Sequence, residues 1–214
     1  MTPFILASSS PRRRELLASL GIAFTIVKPD IDETQRPGEP PLDYVRRLSQ
    51  QKAAAAAARL AAPAAVLAAD TAVILGADTL GIDGRGAILG KPATPEEARD
   101  MLRRLRGRAH QVVTALTLAR LSPAAPLALD TRLTTSWVVM RDYTDAEIEA
   151  YIATGDPFDK AGGYAIQHAG FNPVAQVEGS YTNVVGLPLE TLRAMLDAIG
   201  WPYTALTDRA GDPA

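Results

Sequence analysis

Several residue types that support common chemistries are scarce or missing from this chain of 214 residues. There is no cysteine, which excludes disulfide bonds, thiolate zinc sites and a catalytic thiol. Only two histidines are present, too few for most metal sites built from imidazole groups. The 22 basic and 24 acidic residues nearly cancel, so no overall positive field exists to hold a long nucleic acid or an anionic membrane. Any anion must therefore be bound by a local group of cations.

Long apolar runs are also missing. None approaches the ~18 residues that a membrane span requires, and the first residues lack the basic segment and apolar core of a signal peptide. The remaining composition, 47% hydrophobic and 21% charged, is that of an ordinary globular protein. These features predict a soluble, cytoplasmic protein with a single domain over residues 1–214 and a loose tail from about residue 201.

Strand and helix patterns alternate along the whole chain. Capping signals mark several helix starts: a serine before Pro11, and a threonine followed three residues later by a glutamate at positions 94 and 144. A tight hairpin turn is predicted at residues 82–86. The predicted strands are 4–7, 23–27, 64–75, 110–121 and 131–143, and the predicted helices are 11–21, 42–60, 94–106, 144–155 and 189–199. This mixture predicts an α/β fold with a mixed central sheet.

The segment SSSPRRR, residues 8–14, lies where the first strand passes into the first helix. A helix start presents unpaired N–H groups and a partial positive charge, so Ser8, Ser10, Arg12 and Arg13 could together bind phosphate oxygens. The alternative is that Ser10 only caps the helix and the arginines face solvent. The chain contains neither a GxxxxGK[ST] phosphate loop nor a GxGxxG motif after a strand, which disfavours the most common nucleotide-binding folds.

Three further segments carry polar groups in unusual places. Asp70 lies inside the apolar segment AAVLAADTAVIL, where a carboxylate is unfavourable unless it is paired or binds a cation. It is therefore a candidate ligand or base; the alternative, a turn residue at the strand end, is disfavoured because apolar residues continue on both sides. Lys91 follows in LGKP, where a surface lysine would be the default interpretation. Lys160 and Gln167 lie in DPFDKAGGYAIQ, whose small residues allow a ligand to approach the backbone.

Taken together, these segments resemble the Maf family of nucleotide pyrophosphatases. The resemblance covers about residues 4–200 and depends on several motifs that occur in the family's order, which is far more specific than any one of them. The matching segments are Ser8–Leu17, the pair Asp32–Glu33, the pair Asp70–Thr71, Leu89–Pro92, Asp159–Gln167 and Gly179–Glu190.

The resemblance implies an inosine-triphosphatase-like fold, with two lobes flanking a cleft, and metal-dependent hydrolysis of nucleoside triphosphates to monophosphate and pyrophosphate. Asp70 matches the family's general base, and Glu33 would join it at a divalent cation such as Mg²⁺, Mn²⁺ or Co²⁺. Glu33 and Lys91 complete the expected catalytic set. The expected substrate-binding residues comprise Ser8 and Ser10, the base-selecting residues Arg12, Thr71 and Gln167, and the phosphate-binding residues Arg13, Lys52, Lys91 and Lys160.

The family also limits the substrate. Arg12, Lys160 and Gln167 match the branch that acts on dTTP and UTP, which predicts these nucleotides and modified ones such as 5-methyl-UTP, in nucleotide house-cleaning linked to cell-division arrest. The 7-methyl-GTP branch, a non-catalytic nucleotide-binding regulator of septum formation and a phosphate-transfer enzyme are the alternatives. His110 is interpreted as a structural hydrogen-bonding residue. The sequence leaves the oligomeric state open, a homodimer included, and no nucleic-acid polymer or membrane is expected as a partner.

Overall fold

The fold is an α/β arrangement around one mixed sheet, as the sequence predicts. The computed structural model describes residues 2–61, 63–75 and 87–204. The strands are β1 Phe4–Ala7, β2 Thr25–Ile26, β3 Ala64–Leu75, β4 Ala87–Leu89, β5 Ala109–Ser122, β6 Ala125–Met140 and β7 Val174–Glu178. The helices are α1 Pro11–Ala18, α2 Pro41–Ala57, α3 Pro95–Leu105, α4 Asp145–Ala153, α5 Tyr181–Val185 and α6 Leu189–Ala198, with 3₁₀ turns at Asp156–Asp159 and Ala161–Gly163.

The sheet has the strand order β2-β1-β3-β5-β6-β7, with β4 paired to β3. Strand β1 is parallel to β2 and β3, whereas β3, β5, β6 and β7 form antiparallel pairs. Helix α2 covers one face of the sheet, and α1 and α6 pack on the opposite face. A separate core cluster joins α3 and α4 to the far half of the sheet, through residues such as Val73 and Val138. The two halves therefore correspond to the two expected lobes.

The predicted helix starts are confirmed by their capping hydrogen bonds. The Ser10 hydroxyl accepts from the Arg13 N–H at the start of α1, and Thr94 caps α3 in the same way through the Glu97 N–H. At α4, Thr144 and the glutamate three residues later form a complete capping box. Because these side chains satisfy the first N–H groups of each helix, short local motifs are sufficient to fix where the helices begin.

The sequence predictions differ from the structure in several places. Strand β2 is only two residues long, α2 ends at Ala57 rather than residue 60, and β7 and α5 were not predicted. The loose tail was expected from residue 201, but Trp201 contacts Phe4 with ring centroids 5.1 Å apart. The Thr204 N–H also donates to the Leu20 carbonyl at 2.8 Å. These two contacts hold residues 201–204 against the core.

Two predictions concern positions that lie outside the described residues: the turn at 82–86 and the tail beyond 204. In the parts of the chain that the structure describes, no helix is both long enough and apolar enough to cross a membrane.

One edge of β3 is left uncovered along a short stretch. Strand β1 pairs with β3 only as far as Ala68, and β4 begins to pair with β3 at Val73. Within the described ranges no strand lies beside residues 69–72 on that edge, while β5 continues alongside them on the other. The central strand is therefore open to other groups at this gap.

Candidate active site

A cleft of about 420 Å³ opens at the gap beside β3. The end of β1, residues 70–73 of β3 and the start of the segment after β4 all contribute to its lining. Successive side chains of a strand point to opposite faces, so Asp70 and Thr71 flank the gap from its two sides. Two adjacent residues can therefore meet one ligand because the strand edge between them is uncovered.

The start of α1 supplies hydroxyl groups and a guanidinium group to the cleft. Ser8 and Ser10 both line it, and the Ser8 hydroxyl accepts from the Ser10 N–H at 3.2 Å. Arg12 also lines the cleft and is partly exposed, and no hydrogen bond or ion pair connects its guanidinium group to another described residue. The predicted phosphate-binding segment thus keeps one arginine available for an incoming anion.

On one side of the gap, Asp70 forms a buried ion pair with Lys52 of α2. The Lys52 Nζ lies 2.6 Å from Asp70 Oδ1 and 2.9 Å from Glu33 Oε2, so one ammonium group joins two carboxylates. Both members of the Lys52–Asp70 pair are only 6% exposed. The Glu33 side chain is 52% exposed, and the loop that carries it is held by a hydrogen bond from the Tyr44 hydroxyl to the Glu33 carbonyl.

Burial raises the pKa of Asp70 above the ordinary value of an aspartate, and the positive charges of Lys52 and Arg13 offset part of that effect. A carboxylate with a raised pKa is a stronger base once it is ionised, and the ammonium group favours the ionised form. The same surroundings raise the pKa of Tyr44 to about 12, through burial and then through the negative charges of Asp70 and Glu33. The Tyr44 phenol therefore stays protonated at neutral pH and acts as a hydrogen-bond donor.

On the other side of the gap, Arg13 is anchored to three parts of the chain. Its guanidinium group donates to the Gly186 carbonyl at 2.9 Å, the Ala69 carbonyl at 2.8 Å and the Thr71 hydroxyl at 3.0 Å. The Ala69 carbonyl lies at the uncovered edge of β3, so the arginine takes the place of a neighbouring strand there. An arginine has five N–H groups, and the two that remain can still face a phosphate.

Lys160 was expected to bind phosphate, but its ammonium group is fully engaged. It donates to the Asp156 carbonyl at 2.6 Å, to Asp156 Oδ1 at 2.8 Å and to Asp159 Oδ1 at 2.5 Å. An ammonium group has three protons, so none is left for a ligand in this arrangement. Lys160 is 7% exposed and lines the cleft, and in this arrangement it orders the 3₁₀ turns of the wall.

Most of the predicted site residues come together in one cleft. Its lining includes Ser8, Ser10, Arg12, Arg13, Glu33, Lys52, Asp70, Thr71, Lys91 and Lys160. Gln167 is exposed and does not contribute to the lining, so the structure leaves this residue apart from the others. The turn of the chain after Ala165 decides whether the Gln167 side chain faces the cleft, and the segment Asp159–Gln167 does not encode that turn.

The cleft lining also contains residues that the sequence patterns do not single out, among them Lys28, Tyr44, Tyr164 and Gly186. Lys28 precedes a proline in a polar loop and carries no distinguishing pattern. Gly186 has a φ of +121°, a conformation that side chains other than hydrogen rarely adopt, and this turn directs its carbonyl to Arg13. The glycine in GSYTNVVGLPLE was the signal that could have identified it.

His110 has the structural role that the sequence predicted. It is 1% exposed, its Nε2 lies 2.7 Å from the Tyr164 hydroxyl, and burial lowers its pKa to about 4. The imidazole is therefore neutral at physiological pH, and it lies outside the cleft lining. Its contact with Tyr164 fixes one wall of the cleft.

The acidic groups of the site match one mode of metal binding. No cluster of three or more histidine, cysteine, aspartate or glutamate residues suited to a metal occurs within the described ranges. Glu33 and Asp70 provide two carboxylates, each joined to Lys52 through one oxygen only. Mg²⁺ commonly binds through one or two carboxylates together with phosphate oxygens of the substrate, so this pair fits a cation that arrives with a nucleotide.

Similarity to known proteins extends over nearly the whole chain. The family model described as Maf-like protein matches residues 3–199. The chain is 48% identical over 198 residues to a protein of Anaeromyxobacter dehalogenans named dTTP/UTP pyrophosphatase, covering 92% of this chain and 94% of that protein. It is 46% identical over 211 residues to a protein of the same name from Thermomicrobium roseum, covering 98% and 89%. Among solved structures, the Ham1 protein of Staphylococcus aureus is similar with a TM-score of 0.49 and 15% identity, over 92% of this chain and 100% of that one.

Proposed function

Because the chain belongs to the Maf family, we propose that its cleft binds dTTP or UTP and hydrolyses it to the nucleoside monophosphate and pyrophosphate. Modified pyrimidine nucleotides such as 5-methyl-UTP belong to the same proposal. The names of the relatives support the substrate, and the arrangement of charges in the cleft supports the reaction. The enzyme would act on free nucleotides in the cytoplasm and remove unwanted ones from the pool.

The observation that carries this proposal is the buried Asp70–Lys52 pair at the opening in the sheet. A buried carboxylate paired with a lysine is often no more stable than a well-packed apolar pair, so stability alone does not account for it. The pair becomes useful when a nucleotide enters the cleft, because the carboxylate can then act on a water molecule beside the phosphates that the cations bind. A regulator that only binds nucleotides would need the cations but not the buried carboxylate.

In the proposed mechanism, Asp70 orients a water molecule and accepts its proton as the water attacks the α-phosphorus. The ammonium group of Lys52 would favour the ionised form of Asp70 before the reaction, and it also contacts Glu33. The two remaining N–H groups of Arg13 and the ammonium group of Lys91 would bind the phosphates and stabilise the charge that develops on the leaving pyrophosphate, while Arg12 would contact the base.

Glu33 and Asp70 would hold a divalent cation such as Mg²⁺, Mn²⁺ or Co²⁺ jointly with the substrate phosphates. When bound, such an ion neutralises phosphate charge and makes nearby water more acidic. The exposure of Glu33, with its side chain 52% accessible, allows it to reach an ion at the mouth of the cleft.

The experiment that tests the proposal is a substrate panel with product identification. Purified protein is incubated with Mg²⁺ and each of dTTP, UTP, 5-methyl-UTP, CTP, GTP and 7-methyl-GTP, and the products are separated by anion-exchange chromatography. We expect monophosphate and pyrophosphate in equal amounts, with dTTP and UTP consumed fastest. Release of orthophosphate and a diphosphate, preference for 7-methyl-GTP, or binding without turnover would each contradict the proposal.

A further inference from the structure

Two threonine hydroxyls lie in contact beneath the cleft. Thr71 Oγ1 is 2.8 Å from Thr114 Oγ1, and only Thr71 lines the cleft. Thr114, on β5, is fully buried, and its hydroxyl donates to the backbone carbonyl of Asn183 in α5 at 3.4 Å. Thr114 therefore cannot touch a ligand in the cleft, but it can act on one through Thr71.

The direction of each hydrogen bond between Arg13, Thr71, Thr114 and Asn183 follows from the groups that can only donate or only accept. An arginine N–H can only donate, so Thr71 Oγ1 accepts from Arg13 at 3.0 Å. A carbonyl can only accept, so Thr114 donates its single proton to Asn183. The N–H groups of Gly186 and Leu187 both donate to Thr182, which leaves the Asn183 carbonyl to Thr114.

With the Thr114 proton committed, the contact between the two hydroxyls requires Thr71 to donate to Thr114. The Thr71 oxygen then has one lone pair that accepts from Arg13 and a second that no described residue occupies, and Thr71 lines the cleft. Thr71 consequently presents an acceptor, and no proton, to a bound ligand. Phosphate oxygens are acceptors as well, so the group that meets Thr71 must be an N–H or O–H of the base or the sugar.

We propose that Thr114 is a specificity-positioning residue: it fixes the Thr71 hydroxyl as an acceptor, which selects uracil and thymine over cytosine. Uracil and thymine carry a hydrogen on N3, whereas N3 of cytosine has a lone pair that would face the Thr71 lone pair. Mismatched acceptors in a site built for a hydrogen bond discriminate strongly because both groups are left without a partner. This inference depends on the proposed pyrimidine substrate and adds a residue that does not contact it.

The test is Thr114→Val, which keeps the shape of the side chain and removes the hydroxyl. Without Thr114 as its acceptor, the Thr71 hydroxyl can rotate and donate to cytosine N3. Binding of the α,β-imido analogues of UTP and CTP is measured by calorimetry in wild type and variant. We expect the affinity for the CTP analogue to rise about tenfold or more, and that for the UTP analogue to change by less than about threefold.

Two variants serve as controls. Thr114→Ser keeps the hydroxyl and should keep the wild-type preference. Thr117→Val makes the same substitution at another fully buried threonine of β5, whose hydroxyl contacts Ser49 and Thr131 and which lies outside the cleft lining. It should lose stability without changing the ratio of the two affinities. General damage to the fold can lower both affinities, but it cannot raise the one for CTP.

The inference is overturned if Thr114→Val retains the wild-type ratio, or if the wild type binds both analogues equally, as it would if Thr71 met a sugar hydroxyl. These outcomes concern binding and need no turnover. The proposed hydrolysis is tested separately by the products of the substrate panel, so failure of the one can be told from failure of the other.

Discussion

Replacing Lys52 by methionine should move the pH dependence of the reaction, because Lys52 sets the ionisation of Asp70. The two side chains are 2.6 Å apart and both are buried, so the ammonium group stabilises the carboxylate with little screening by water. Methionine keeps the length of the side chain and removes the charge. Burial already raises the pKa of Asp70, and the variant would lose the largest effect that opposes it.

An opposite charge at this distance lowers the pKa of a carboxylate by about 1 to 3 units, so its loss should raise the pKa of Asp70 by a similar amount. As the proposed base, Asp70 can accept a proton only when it is ionised, so activity should be lost as the pH falls through its pKa. A higher pKa shifts this loss to higher pH. At a pH below the pKa of Asp70 in both the wild type and Lys52→Met, this shift alone should make kcat/KM of the variant about 10- to 1,000-fold lower.

The assay is kcat/KM for dTTP between pH 5 and 9 at fixed, saturating Mg²⁺, with pyrophosphate release as the signal. Glu33→Gln is the matched control, since the negative charge of Glu33 raises the pKa of Asp70 and its removal should shift the acid limb to lower pH. Loss of one partner of a buried ion pair costs about 3 to 5 kcal/mol, so rates must be taken well below the melting temperature of Lys52→Met. An acid limb that stays in place in a folded Lys52→Met would refute the reasoning.

Three further outcomes test the site. Asp70→Asn should lower turnover by about 10²- to 10⁴-fold with the circular dichroism spectrum unchanged, since a general base is removed; turnover within about threefold of wild type would refute its role. Lys160→Met should lower the free energy of unfolding by about 2 to 3 kcal/mol in urea titrations while KM changes little, because its three protons are bound within the wall; unchanged stability with a KM raised tenfold would restore the phosphate-binding prediction. Hydrolysis in ¹⁸O-labelled water should place the label in the monophosphate, as mass spectrometry of both products would reveal, and label confined to pyrophosphate would mean attack at the β-phosphorus.

Local signals explain which parts of the fold could be predicted. Strand β3 and the capped starts of α1, α3 and α4 match the sequence predictions because each depends on a few neighbouring residues. Strand β7 and helix α5 were missed because their stability comes from distant partners. Asn183 of α5, for example, donates to the Val112 carbonyl and to the Ser136 hydroxyl, contacts that no local pattern encodes.

The same division applies to the site. Asp70 was identifiable because a carboxylate in an apolar strand requires a partner, and the structure provides Lys52. The identity of that partner, 18 residues away on α2, was not encoded in either segment. The ion pairs of Lys160 could not be predicted for a related reason: its neighbours Asp156 and Asp159 are visible in the sequence, but only the 3₁₀ turn brings both carboxylates to one ammonium group.

The anchoring of Arg13 also sets the moment at which activity can arise during protein synthesis. Its contact with the Gly186 carbonyl spans 173 residues of chain. At translation rates of about 5 to 20 residues per second, roughly 9 to 35 seconds separate the emergence of the two ends of that contact. Until then Arg13 of α1 lacks its contact with the Gly186 carbonyl, and the cleft lacks the part of its wall that contains Gly186. The cleft can therefore be completed only when nearly the whole protein has been made.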